Sequence, residues 1–262
     1  MRMRYIISDI YWVFWREIKK FAKQKPRLIT AVVQPFIWLV FMGSSLSGLT
    51  RNPAAEKLLG TGDYLDFMVP GVMIMTALFG GVFGGMSVVW DRRLGFLGKM
   101  LTAPIHRAAI PAGKLLALGV QTLLQALFIV VIALVLGVRI STGAAGVVSL
   151  LFLTSMFGLV MGGISLSIAS VLKTLESFFA VTNFLTLPLM FTSDAMFPIS
   201  AMPGWLQVIA RFNPLSYAVG PMRTISTQGW IWRDIWPGAV ALAVTAVVTT
   251  AIAVRQFHRS VM

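Results

Sequence analysis

The chain has 262 residues, of which 57% are hydrophobic and 12% charged, and it carries a net charge of +13. A soluble domain has about a quarter of its residues charged; half that share, with several uncharged runs of roughly 20 residues, describes an integral membrane protein. It has no cysteine, which excludes disulfides and thiolate metal sites. Its two histidines, His106 and His258, both lie near predicted membrane edges and argue against a histidine-rich metal centre. The cationic excess sits beside the apolar runs, where topology and lipid headgroups account for it and no nucleic acid is needed.

Residues 1–27 hold no early apolar core and end in a basic cluster, so the first hydrophobic segment is expected to remain as an anchor. Within them, Ile7, Tyr11, Phe14, Ile18 and Phe21 recur at helical spacing over residues 5–23, opposite Asp9, Arg16, Lys20 and Lys23. Trp12 and Trp15 suit the headgroup layer, and the segment reads as an amphipathic helix lying in the interface and ending at Pro26. Six spans follow, at about 28–49, 67–89, 114–137, 146–170, 177–193 and 235–254. With the N-terminus inside, the inner segments hold 16 Lys and Arg, Lys173 among them, and the outer ones 6, which include Arg51, Lys57 and Arg223. That asymmetry predicts both termini inside. The expected fold is an all-α integral membrane bundle forming one domain over 1–262.

Small and polar residues punctuate the spans. Gly80, Gly81, Gly84 and Gly85 form two overlapping G-x-x-x-G pairs and Gly158 with Gly162 another, a spacing that lets helices approach closely, within one subunit or between two. Gln121 and Gln125 share a face of the third span, and Thr182, Asn183 and Thr186 line the fifth. In lipid these groups seek internal partners, or line a path for an amphiphile. Asp194, at the outer end of the fifth span, is read as a cap for the irregular segment after it.

Two connections carry more pattern than topology requires. Residues 90–114 read WDRRLGFLGKMLTAPIHRAAIPAGK, a charged entry followed by Leu94, Leu97 and Leu101 on one stripe, then Pro104 and Pro111. Residues 191–223 read FTSDAMFPISAMPGWLQVIARFNPLSYAVGPMR. There Pro198, Pro203, Pro214 and Pro221 forbid one continuous helix, and Trp205, Leu206, Ile209 and Phe212 give the piece 204–212 an apolar side. The segment reads as a broken, re-entrant outer hairpin over 194–234.

Both stretches resemble the membrane subunit of ABC-2-type transporters, the permeases of drug, lipo-oligosaccharide and polysaccharide exporters. In the second, Phe197, Pro198, Pro203, Trp205, Leu206, Asn213, Pro214, Leu215, Tyr217 and Arg223 match the family pattern. The pattern carries an acid three residues before the final arginine; Gly220 stands there instead. In the first, Gly95, Phe96, Leu97, Leu101, Ala103 and Pro104 match, with Asp91-Arg92 where Glu-Arg is common and Arg93 following. The resemblance implies that 90–113 is a cytoplasmic coupling loop docking onto a separate ATP-binding subunit, with the short turn 172–176 as a minor contact. It implies a second copy of the chain, with the first and fifth spans near the midline. Gln34, Phe36, Trp38, Phe41, Phe179, Asn183 and Phe184 are the residues of those regions to suspect in a substrate path.

A phosphate-binding loop needs G-x-x-x-x-G-K-[ST]. Gly98-Lys99 and Gly113-Lys114 lack its other members, so ATP and magnesium are expected on the partner and no cofactor on this chain. HExxH and GxSxG motifs are absent as well, which argues against a membrane-embedded enzyme. The expected protein is a non-enzymatic permease subunit exporting a drug, lipid or lipid-linked glycan across a prokaryotic cytoplasmic membrane. The competing readings are an ATP-independent transporter or channel, and a membrane scaffold.

Overall fold

In hydrocarbon a backbone polar group has no water to turn to, so a spanning segment must close its hydrogen bonds internally. Each long apolar run is accordingly helical in the computed structural model, which describes residues 2–46, 61, 63–172 and 174–260. The helices are α1 (Arg2–Lys23), α2 (Lys25–Ile37), α3 (Tyr64–Arg93), α4 (Phe96–Thr102), α5 (Ala109–Val135), α6 (Gly143–Val171), α7 (Leu175–Phe191), α8 (Gly204–Phe212), α9 (Pro214–Arg223) and α10 (Trp232–Ser260). α2 continues through a wider π turn, Trp38–Met42, into Gly43–Leu46. Among the described residues, five segments are long and apolar enough to cross a bilayer: Lys25–Met42, α3, α5, α6 and α10. α7, with 17 residues, is a shorter apolar sixth. Residues 47–49 of the expected first span, with Arg51, Lys57 and Lys173, lie outside the described residues.

α3 is the central helix. It packs chiefly on α6 and α5, while α6 also carries α10. The paired glycines explain the closeness. A Cβ at Gly81 would strike Met161 and one at Gly85 would strike the Ser165 carbonyl, both on α6. Gly80 and Gly84 face Thr122 and Leu118 on α5, and Gly158 and Gly162 of α6 face the same two residues. The small-residue pairs therefore serve contacts within one chain. The seam is also hydrogen-bonded: the Gly85 N–H donates to Ser165 Oγ at 3.1 Å, and that hydroxyl donates to the Val82 carbonyl at 2.8 Å.

Two apolar clusters fill the bundle. One runs from Leu39 and Met73 through Phe157 to Met222 and Ile225. The other collects Val88 and Val89 of α3, Leu97 and Met100 of α4, Ile110 of α5, Leu166 of α6, Phe178 of α7 and Phe257 of α10. The start of α7 and the end of α10 thus lie at the same end of the bundle as α4. α1 lies there too, with Ile10 and Val13 against Gly113 of α5. The bundle-facing side of α1 is Val13, Glu17 and Phe21, whereas Ile7, Tyr11 and Trp12 are exposed, so the expected apolar stripe is split between protein and surroundings.

The bounds of one connection change, and two prolines sit within helices. The helix of the second span runs on through Asp91–Arg93, and α5 already starts at Ala109, so the connection is 94–108 and narrower than 90–113. Pro111 sits in the first turn of α5, where no intrahelical partner awaits its missing N–H. Pro221 lies inside α9. The missing N–H would have bonded to the Tyr217 carbonyl. Gly238 of α10 packs against that carbonyl and the proline ring, where a Cβ would collide.

Gly85→Ala should lower the thermal midpoint of the detergent-solubilised protein by the equivalent of about 1–3 kcal/mol, because the new methyl meets backbone. Gly84→Ala should cost less, since the obstacle there is the movable end of Leu118. Thermal scans of the two variants side by side test the asymmetry.

Candidate coupling face, translocation cavity and outer hairpin

At the α4 end, three helices meet through buried charge. Lys114, near the start of α5, donates to Asp91 Oδ2 at 2.6 Å, to Glu17 Oε1 at 2.9 Å and to Ser87 Oγ at 3.1 Å. Arg16 of α1 grips Asp91 with both terminal nitrogens, at 2.9 and 3.3 Å, and Lys20 reaches it at 3.4 Å. Lys114 and Asp91 are almost fully buried. Such charges persist out of water only when paired and hydrogen-bonded, and each partner here supplies what another lacks. The cluster ties α1 to α3 and α5.

It also fixes α4. Gly95 takes φ +69°, a left-handed conformation that only glycine adopts readily, and so turns the chain from α3 into α4. The Arg16 guanidinium lies 4.0 Å from the Phe96 ring centroid, a cation–π contact. Leu97 and Met100 point into the bundle, leaving Leu94, Phe96, Gly98 and Lys99 exposed. Among the coupling candidates, Asp91 is therefore internal. Arg92 turns to the end of α6, donating to the Leu172 carbonyl at 3.0 Å and approaching those of Ala169 and Ser170. Arg93, Gly95, Phe96 and Pro104 are exposed, Leu101 is half-buried, and Leu97 is core. The regular stripe Leu94–Leu97–Leu101 marked an amphipathic segment, but which part of it faces inward depends on the turn at Gly95.

The suspected path residues divide. Gln34 and Trp38 line a cavity of about 150 Å³ enclosed by α2, α3, α5 and the end of α7, together with Arg27, Met75, Gln125 and Met190. Phe36 and Phe41 lie on the exposed side of the first span, and Phe179, Asn183 and Phe184 on the exposed side of α7. Thr182 and Thr186 face inward, toward α3 and α6. Arg27 and Lys114 look in the sequence like ordinary cations flanking a span, and the partners that Lys114 finds in Glu17 and Asp91 lie 97 and 23 residues away.

The outer hairpin is held by side chains at its breaks. Pro198 and Pro203 bracket a single 3₁₀ turn, Ile199–Ala201. Pro214 starts α9, and Asn213 caps it, accepting from the Leu215 N–H at 2.9 Å. The Asn213 amide donates in turn to the Leu189 carbonyl at 2.7 Å and Thr192 Oγ1 at 2.9 Å, which binds the hairpin to α7. Trp205, Phe212 and Tyr217 are exposed, with Val208 and Ile209 on the same side of α8 as Trp205.

Arg223 finds its acid elsewhere than position 220. It donates to Asp194 Oδ2 at 3.1 Å and to the Asp194 carbonyl at 2.7 Å, and stacks 3.7 Å over Phe67. Asp194 is thus an ion-pair partner, in addition to opening the irregular segment. Burial pushes its carboxyl above the usual carboxylate range, with the charge of Arg223 pulling the other way. The same burial lowers the arginine.

A bundle of long apolar helices with a charge-pinned helical elbow at one end and a broken hairpin between its last two apolar helices defines an all-α, multi-pass integral membrane protein. The chain belongs to the ABC-2 type transporter family, whose model matches residues 8–226. It is 30% identical over 234 residues to the protein named "Putative transport permease ycf38" in Cyanophora paradoxa, covering 88% of this chain and 78% of that one. It is 27% identical over 234 residues, with the same coverage, to the daunorubicin resistance ABC transporter permease protein DrrB1 of Streptomyces coeruleorubidus. With "Probable multidrug ABC transporter permease YbhR" of Escherichia coli K12 it shares 28% identity over 207 residues, 76% of this chain and 54% of that one. In this family the ATPase is a separate subunit.

Lys114→Met should destabilise the protein by about 3 kcal/mol or more, since it leaves Glu17 and Asp91 under-compensated; a lowered thermal midpoint checks this. Asp194→Asn should likewise strand Arg223. Adding Gly220→Glu, where a side chain meets open space, should recover part of the loss by restoring an acid one turn away. A double variant no more stable than Asp194→Asn alone would refute that account.

Proposed function

We propose that two copies of this chain form the transmembrane path of an ATP-driven exporter, each docked through α4 to a separate ATP-binding subunit. The observation that carries this reading is the exposed face of Leu94, Phe96, Gly98 and Lys99, held rigidly by the Gly95 turn and by Arg16 on Phe96. An apolar patch fixed at a helical elbow beside a basic rim fits a cleft on a soluble partner better than it fits lipid. α1, α4 and the end of α10 then face the cytoplasm, and the hairpin over 194–234 faces outward. The membrane is the cytoplasmic membrane of a prokaryote.

α2 and α7 support the pairing. Only 11% of the Lys25–Met42 segment is buried, against 61% of the most apolar stretch of α3, so this span has apolar surface to offer a second copy. Asn183 beside Phe184 on the outward side of α7 puts an amide toward lipid unless another helix covers it. Closure of the ATP-binding subunits would push α4, and through the charge cluster α1, α3 and α5. The loosely held α2 and α7 would then part along the path. The cargo is amphiphilic: a drug, a lipid or a lipid-linked glycan, as the drug-resistance names of relatives suggest.

Co-purification with the ATP-binding subunit tests this. Leu94→Asp and Lys99→Glu should each abolish stable association while leaving membrane insertion and the thermal midpoint nearly unchanged. Leu97→Asp should lower the midpoint itself, because that side chain is core. Retained association in both surface variants would overturn the docking assignment.

A further inference from the structure

The cavity between α2, α3 and α5 holds an unusual pair of polar groups. Arg27 forms none of the ion pairs among the described residues. One terminal nitrogen donates to Gln121 Oε1 at 3.1 Å, but its buried Nε has no partner. The guanidinium sits near the rings of Phe21 and Phe83, at 5.2 and 5.0 Å. One turn further along α5, Gln125 is 8% exposed, and its Oε1 is also without a partner. Buried polar atoms without partners are costly in a native structure. Two lining one cavity mark a place where something polar binds.

The surroundings specify its charge. The cavity continues, through Arg27, Thr30 and Phe83, into a recess of about 500 Å³ that reaches Lys20 and Leu94. Neither space is lined by an acid. The nearby carboxylates of Glu17 and Asp91 are already taken by Lys114 and Arg16. Beyond Arg27 the lining turns apolar, with Trp38, Met75, Phe79 and Met190. A cation at the mouth and an aromatic, methionine-rich interior suit an anion that carries a tail.

We infer that this cavity is a binding site for an anionic amphiphile, with its phosphate or carboxylate on Arg27, its adjoining polar part on Gln125, and its tail between Trp38 and Met190. The inference rests on the permease reading and narrows its cargo from amphiphiles in general to anionic ones.

The test is a binding assay on the full chain, purified with its native companions into phosphatidylcholine nanodiscs. Radiolabelled dodecyl phosphate is the probe, and dodecyltrimethylammonium, with the same tail, is its cationic counterpart. Dodecyl phosphate should bind saturably. Arg27→Gln should weaken it at least tenfold, Arg27→Lys should keep it within about threefold, and Ala31→Phe, which fills the cavity, should abolish it. Val148→Ala, on an exposed side of α6, should change nothing. Inorganic phosphate should fail to compete at concentrations where unlabelled dodecyl phosphate does. Equal binding of the cationic probe, unaltered binding in Arg27→Gln, or displacement by inorganic phosphate at equal potency would each overturn the site. Any of these results alongside intact ATP-dependent transport of another cargo would leave the permease reading standing. Loss of ATPase association would count against that reading alone.

Discussion

Everything at the α4 end of this molecule depends on Lys114. An ammonium group with almost no exposure is held by two carboxylates from two other helices, and one of those carboxylates is shared with Arg16. Charge taken out of water binds tightly to whatever neutralises it, because the alternative is an unpaired ion in a poor dielectric. The cluster therefore acts as a rivet through α1, α3 and α5. α4 leans on it through Arg16. Displacing α4 without displacing the spans would break charge-assisted contacts, so force applied there passes into the bundle.

The opposite end repeats the device on a smaller scale. Asp194 and Arg223 join the first residues of the hairpin to its last helix, and Asn213 joins its middle to α7. Between the two ends the helices are held by steric fit, with glycine allowing α3 and α6 to approach until backbone meets side chain. Ion pairs thus sit at the ends of the bundle and close packing at its centre, as expected where hydrocarbon penalises charge most at mid-depth.

How much of this was legible in the sequence follows from the range of each signal. Composition and apolar runs determine the helices, because hydropathy is local. Gly95 was legible as a matched position, and its left-handed turn supplies the reason. Pro214 and Asn213 could be read as a helix start, because Pro at the first helical position and Asn before it are local chemistry. The pairing of Lys114 with Glu17 spans 97 residues, and that of Arg223 with Asp194 spans 29. No periodicity reports contacts of that kind, and the position three residues before Arg223 holds only Gly220. The same limit hid the orientation of α4. Its stripe was visible, but Leu97 inward and Leu94 outward follow from a single backbone torsion.

The glycine seam between α3 and α6 has a mechanical corollary. Surfaces fitted so closely that one methyl would collide have no clearance for rocking, so these two helices travel as one block. The thinly seated peripheral rods, α2 and α7, are the pieces with room to shift against that block.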